Sequence, residues 1–129
     1  MPTEGDYLEV LSQGLPPARE RYVRYKIWWN VNDMHRGSES RAPVVFSPEQ
    51  ELNLRRLYDI LDDNRPTSRL IKAEIHRELG EFDAALEICA WLDDHRDFAM
   101  SRNGHDFLER IERQREMALL RRRHVIQYE

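Results

Sequence analysis

Apolar residues recur every three or four positions along most of the chain, the spacing of helix faces, and alternate nowhere for long enough to predict a sheet. Tyr7, Leu8, Val10 and Leu11 form a short face behind Thr3 and Asp6, an N-cap arrangement, so a first helix is expected before Gly14. Pro16 then biases Leu15 away from the α region, and Pro17 is placed to open a second helix over residues 17–32. Ser47, Pro48 and Gln50 supply a capping hydroxyl, a first-turn proline and a side-chain amide, the start of a third helix over residues 48–63. In it Leu54, Leu57, Tyr58 and Leu61 form one buried stripe. Asn64, Arg65 and Pro66 stop that helix. Thr67 or Ser68 caps a fourth over residues 68–79, which Gly80 ends, and a fifth follows over residues 82–92. Residues 105–123 read as a charged last helix whose apolar contacts come from Phe107, Leu108, Ile111, Ala118, Leu119 and Leu120.

Two stretches lack this period. Residues 34–46 mix Gly, Ser and Pro and read as a mobile loop, with a short strand signal at Val44, Val45 and Phe46. Residues 93–104, DDHRDFAMSRNG, break the pattern again. The reading is all-α, about six helices in a single domain spanning residues 1–129, as a helical bundle or a short solenoid.

Composition narrows the function classes. A chain of 129 residues buries about two thirds of its unfolded surface, enough for a core without staples. A formal net charge of −4 argues against nucleic-acid or anionic-membrane binding through overall charge. Cys89 is the sole cysteine, which excludes an intramolecular disulfide and a Cys-based zinc site and fits a reducing cytoplasm. No signal-peptide pattern opens the chain, and nowhere do about 18 apolar residues run together as a membrane span needs. The preference for arginine over lysine could favour bidentate carboxylate or phosphate pairing, although codon usage in a GC-rich genome accounts for it more simply.

Candidates for chemistry are sparse. His35, His76, His95, His105 and His124 lack the spacing of a helical metal pair, and His76 is read as packed between helices. Asp93, Asp94, His95 and Asp97, with His105 and Asp106 beyond, gather carboxylates and imidazoles without EF-hand spacing, and read as a polar turn. There is no phosphate loop, no dinucleotide fingerprint and no GxSxG serine. Cys89 falls at an inward position, where a thiol is packing rather than a nucleophile. No catalytic residue, metal or cofactor is assigned, and the expectation is a protein that is not an enzyme. Arg121, Arg122 and Arg123 form the one uncompensated basic run, which suits the negative end of a helix dipole.

Residues 67–92, TSRLIKAEIHRELGEFDAALEICAWL, resemble one tetratricopeptide repeat. Gly80 stands at the tight corner, Phe82 follows, Ala85, Cys89 and Leu92 face the first helix, and Ala73 is the small residue where the two helices cross. The sequence departs from the family at His76, where an aromatic is usual, and lacks a proline after Leu92 or a second copy at the family's spacing. The resemblance implies an antiparallel helix pair with a peptide-binding face, which maps onto Leu70, Glu74, Arg77 and Glu78. A lone repeat cannot bury its own faces, so the third and last helices are expected to cover it.

The segment RYVRYKIWWNVND, residues 21–33, places apolar residues around most of a helix's circumference, the aromatic ones on two adjoining faces and Val23 and Ile27 roughly opposite. At about 100° per residue, Arg21, Tyr25, Trp28 and Asn32 share one face, with Tyr22, Trp29 and Asp33 on the next. Aromatics at helical spacing usually pack, so Trp29 and Tyr22 are expected to be buried against helix one or three, and Trp28 at least partly under the repeat-like hairpin. The other reading is a surface platform in which Arg21, Arg24 and Trp28 hold a partner and Asn32 and Asp33 orient it. The spacing RxxRxxxWWxxND also resembles bacterial proteins, a likeness that implies a source and no function. The resulting expectation is a helical interaction or scaffold module of a bacterial cytoplasm with a protein partner, compatible with a homodimer. The alternative is a nucleic-acid-binding accessory factor using residues 21–33 and the terminal arginines.

Overall fold

Helix starts are set by short-range hydrogen bonds that the sequence encodes locally. In the computed structural model, which describes residues 2–36, 45–99 and 104–128, the chain is all-α. Its helices are α1 (Glu4–Ser12), α2 (Pro17–Arg36), α3 (Pro48–Ile60), α4 (Pro66–Glu78), α5 (Phe82–Asp94), α6 (Arg96–Ala99) and α7 (Gly104–Tyr128). At α1 the Asp6 amide donates to Thr3 Oγ1 (3.2 Å) and the Thr3 amide to Asp6 Oδ2 (2.8 Å), a reciprocal capping box. These bonds hold the Asp6 carboxyl below the usual carboxylate range. Ser47 and Gln50 repeat the device at α3, with the Gln50 amide to Ser47 Oγ at 3.1 Å and the Ser47 amide to Gln50 Oε1 at 2.9 Å. The other end of the Gln50 side chain donates to Glu4 Oε2 (3.0 Å), which ties the start of α3 to the start of α1.

Several boundaries differ from those expected. Helix α2 runs one turn further, through Arg36, so residues 34–36 are helical rather than loop. The rest of the expected loop, 37–44, lies outside the described residues, and Val45 and Phe46 form no strand. Helix α3 stops at Ile60, because Leu61 turns extended (ψ 135°) and the Asp62 carboxylate accepts from the Asn64 amide (2.9 Å) in a local turn. Pro66 does not merely end α3; it occupies the first position of α4 after Arg65, leaving Ser68 inside the helix and buried. The stretch after Leu92 contains the last turn of α5 and the short α6, where loop was expected.

The sequence suggests one domain; by packing the chain divides into two compact units, Met1–Leu61 and Asp62–Glu129. In the first, α2 lies against both α1 and α3, and Val23, Ile27, Leu54 and Leu57 are buried. In the second, α4 and α5 form a hairpin on which α7 packs. Its core joins Leu70 and Ala73 of α4, Cys89 and Leu92 of α5, and Phe107 and Ile111 of α7. Burial pushes the Cys89 thiol up, so it stays protonated and unreactive at neutral pH.

The hairpin corner is a Schellman motif: the Glu81 amide donates to His76 O (2.7 Å) and the Gly80 amide to Arg77 O (3.1 Å). Gly80 sits at φ +80°, which a side chain would strain. His76, read as packed between helices, is half-buried and pairs its Nδ1 with Glu81 Oε1 (3.0 Å), closing the same corner. Gly80→Ala is expected to destabilise by about 1 kcal/mol through that strain, since a Cβ there meets no neighbour. Chemical denaturation of the pure variant checks this, and unchanged stability would count against the left-handed corner.

Candidate interaction surface

Helix α2 carries aromatic residues on two adjoining faces, and its packing on α1 and α3 selects between them. Val23, Arg24, Ile27 and Trp28 are buried. Ala18, Arg19, Tyr22, Trp29 and Asp33 are exposed, and on a helical wheel all lie within one sector opposite the buried residues. The expected burial of Tyr22 and Trp29 is therefore overturned, whereas Trp28, expected to be at least partly covered, is buried. Trp28 is 2% exposed, while Trp29 is 48% and Tyr22 56% exposed, so neither of the latter two is buried against α1 or α3.

Arg24 explains why this side turns inward. Its Nε and Nη2 donate to Glu20 Oε1 (3.2 and 2.9 Å), one turn back, and its Nη1 donates to Asn53 Oδ1 of α3 (3.1 Å). Asn53 Nδ2 donates in return to the Arg24 carbonyl (3.1 Å). A buried guanidinium needs such partners, and these fix the register of α2 against α3. Arg24 is thus a packing residue and not a partner contact. Trp28, buried beside it, is also removed from the candidate surface. Trp28 Nε1 and Asn32 Oδ1, one turn apart, are buried without a hydrogen-bond partner. Arg21 is half-buried and Asp33 exposed, so only these two of the five platform candidates on α2 retain accessible charge.

On the exposed sector Lys26 Nζ stands 5.3 Å from the Tyr22 ring centroid and 5.5 Å from that of Trp29. The Tyr25 ring stacks on Trp29 at 5.3 Å and 27°. Tyr25 and Lys26 lie four and three positions before Trp29, which places them on its two flanks by helix geometry. Trp29 therefore stands as a half-exposed ridge between an aromatic ring and a cation. The sequence marked this helix through its aromatic content, but the expected packing of Trp29 is overturned, and the alternative surface platform rested on Trp28, which is buried. Lys26, which the sequence did not single out, lies beside both exposed rings.

The face carried over from the repeat resemblance is covered inside the second unit. Leu70 is 1% exposed in the core, not on an open side. Arg77 Nε donates to Gln114 Oε1 of α7 (2.8 Å), and Arg77 Nη2 lies 3.8 Å from Glu74 Oε1. Glu74 and Glu78 are half-buried on the same helix. Helix α7 packs on α4 and α5 because Phe107 and Ile111 supply the apolar stripe that seals the hairpin, and Leu70 meets that stripe. Beyond it, Trp91 stacks on the His95 ring (3.8 Å, 10°), and the Arg69 guanidinium lies 3.7 Å from the Trp91 ring. Asp93 is paired with Arg115 of α7, and no group of three His, Cys, Asp or Glu among the described residues could hold a metal ion.

Compared with known proteins, the chain matches no family model, no curated protein and no solved structure. No helix among the described residues is long and apolar enough to cross a membrane. Acrylamide quenching in a Trp91→Phe background is expected to separate the other two tryptophans. Removing Trp29 should leave the shielded emission of Trp28, and removing Trp28 should leave the accessible emission of Trp29. Equal quenching of the two single-tryptophan proteins would show that the orientation of α2 is wrong.

Proposed function

We propose that this chain is a helical protein–protein interaction module of the cytoplasm, and that it docks its partner on the exposed face of α2. The observation that carries this reading is the Trp29 ridge: a half-exposed tryptophan and tyrosine, fixed by Tyr25 and Lys26. Tryptophan and tyrosine dominate binding hot spots because they bring large contact area, and a side chain already held in place loses little entropy on binding. The tetratricopeptide-like hairpin fits the same reading as a scaffold rather than a peptide groove, since α7 covers its face. Nucleic-acid stacking fits less well. Tyr25 and Lys26 already neighbour the Trp29 ring, so a base would have to compete with them for it.

The test is affinity capture from extracts of the source organism with the wild-type chain, Trp29→Ala, and Leu52→Ala as an exposed control on α3. A partner that binds directly when purified should lose about tenfold or more in affinity with Trp29→Ala and little with Leu52→Ala. Equal affinity for all three proteins would remove α2 as the docking face.

A further inference from the structure

The charges around the ridge specify the partner's chemistry. Arg24, the buried cation of α2, is matched by Glu20. Among the described residues no carboxylate pairs with Lys26 or with the exposed Arg19, and the ammonium of Lys26 has only the two aromatic rings beside it. Arg21, on the opposite flank of the Tyr22 and Trp29 line, also lacks a carboxylate among the described residues. The one carboxylate of the exposed sector, Asp33, stands at its C-terminal end. The face therefore has an aromatic centre with uncompensated positive charge on both sides, within a chain whose formal net charge is −4.

Resting on the docking reading above, we infer that the face takes an acidic segment of a protein partner, which sets an apolar side chain against Tyr22 and Trp29 and aspartate or glutamate carboxylates beside Arg19 and Lys26. Carboxylates supply the anion that the aromatic rings cannot, and the rings keep Lys26 in place to receive it. A second copy of the chain is a poorer occupant. A two-fold axis across the middle of α2 brings Lys26 next to its own copy, setting like charges together at the centre of the interface. RNA meets the same cations but must compete with Tyr25 and Lys26 for the Trp29 ring.

A display library of random peptides about 16 residues long, enough for four helical turns, tests this when selected on the wild-type protein and counter-screened on Trp29→Ala. The selected peptides are expected to be rich in Asp and Glu and to bind more weakly as salt rises. They should lose roughly three- to tenfold in affinity on Arg19→Gln/Lys26→Gln, whose folding is checked by thermal melts. Trp29-dependent peptides without acidic enrichment, or indifferent to the double substitution, would overturn the acidic assignment and leave the docking face standing. Absence of any Trp29-dependent peptide would overturn both. Trp29-dependent binding of an oligouridylate in preference to the peptides would assign the face to RNA, and a concentration-dependent dimer abolished by Trp29→Ala would assign it to self-association.

Discussion

Leu57→Ala is expected to destabilise the chain by about 2–5 kcal/mol, the range for removing a large aliphatic side chain from a packed interior. Leu57 is 0% exposed and sits one turn after Leu54 on the side of α3 that also carries Asn53. Truncation there removes three carbons from the transfer term and leaves a cavity, because regular helix on both sides of Leu57 keeps the backbone from closing in. Leu61→Ala should fall in the lower part of the same range. Leu61 is buried but lies just past the end of α3 with extended backbone, where the chain can shift to fill part of the space. Urea denaturation of the two variants beside wild type measures the difference. If Leu57→Ala melts like wild type, the phase assigned to α3 is wrong.

That phase was legible in the sequence because it rests on local spacing, as do the capping boxes at Thr3 and Ser47 and the glycine corner at Gly80. Each is specified by residues within about one turn of the other, so no tertiary knowledge is needed. The orientation of α2 is a different kind of fact. With apolar residues around most of its circumference, its periodicity favours no single inward face. The choice is made by Arg24 and Asn53, which meet across 29 positions of sequence. An arginine reads as surface by default, and nothing within one turn of it identifies its partner on α3. Leu70 was misplaced for another reason. Its own hydrophobicity pointed inward, and the borrowed repeat pattern set that aside, although a hairpin without neighbouring repeats has to be sealed by other elements of the chain. In the described structure α7 is that seal. The ends of α5 and α6 were missed because acidic and basic residues conceal helix when few apolar positions mark a face.

The Arg24–Asn53 contact gives the sharpest test of how α2 is held. Asn53→Leu keeps the side chain's approximate volume but withdraws the acceptor for Arg24 Nη1 and the donor to the Arg24 carbonyl. It should cost about 1–3 kcal/mol, the penalty for a buried polar group left without its partner. Arg24→Met should cost a comparable amount, because it strands Asn53 Oδ1, whereas Glu20 retains partial exposure to water. Joining the two substitutions replaces the polar pair by apolar groups that satisfy one another. The double variant is therefore expected within about 1 kcal/mol of wild type, well short of the sum of the single effects. Urea titrations of the four proteins close the cycle. Additive losses would mean that Arg24 and Asn53 stabilise the chain through separate neighbours, and α2 would then need another account of why Trp28 points inward and Trp29 outward.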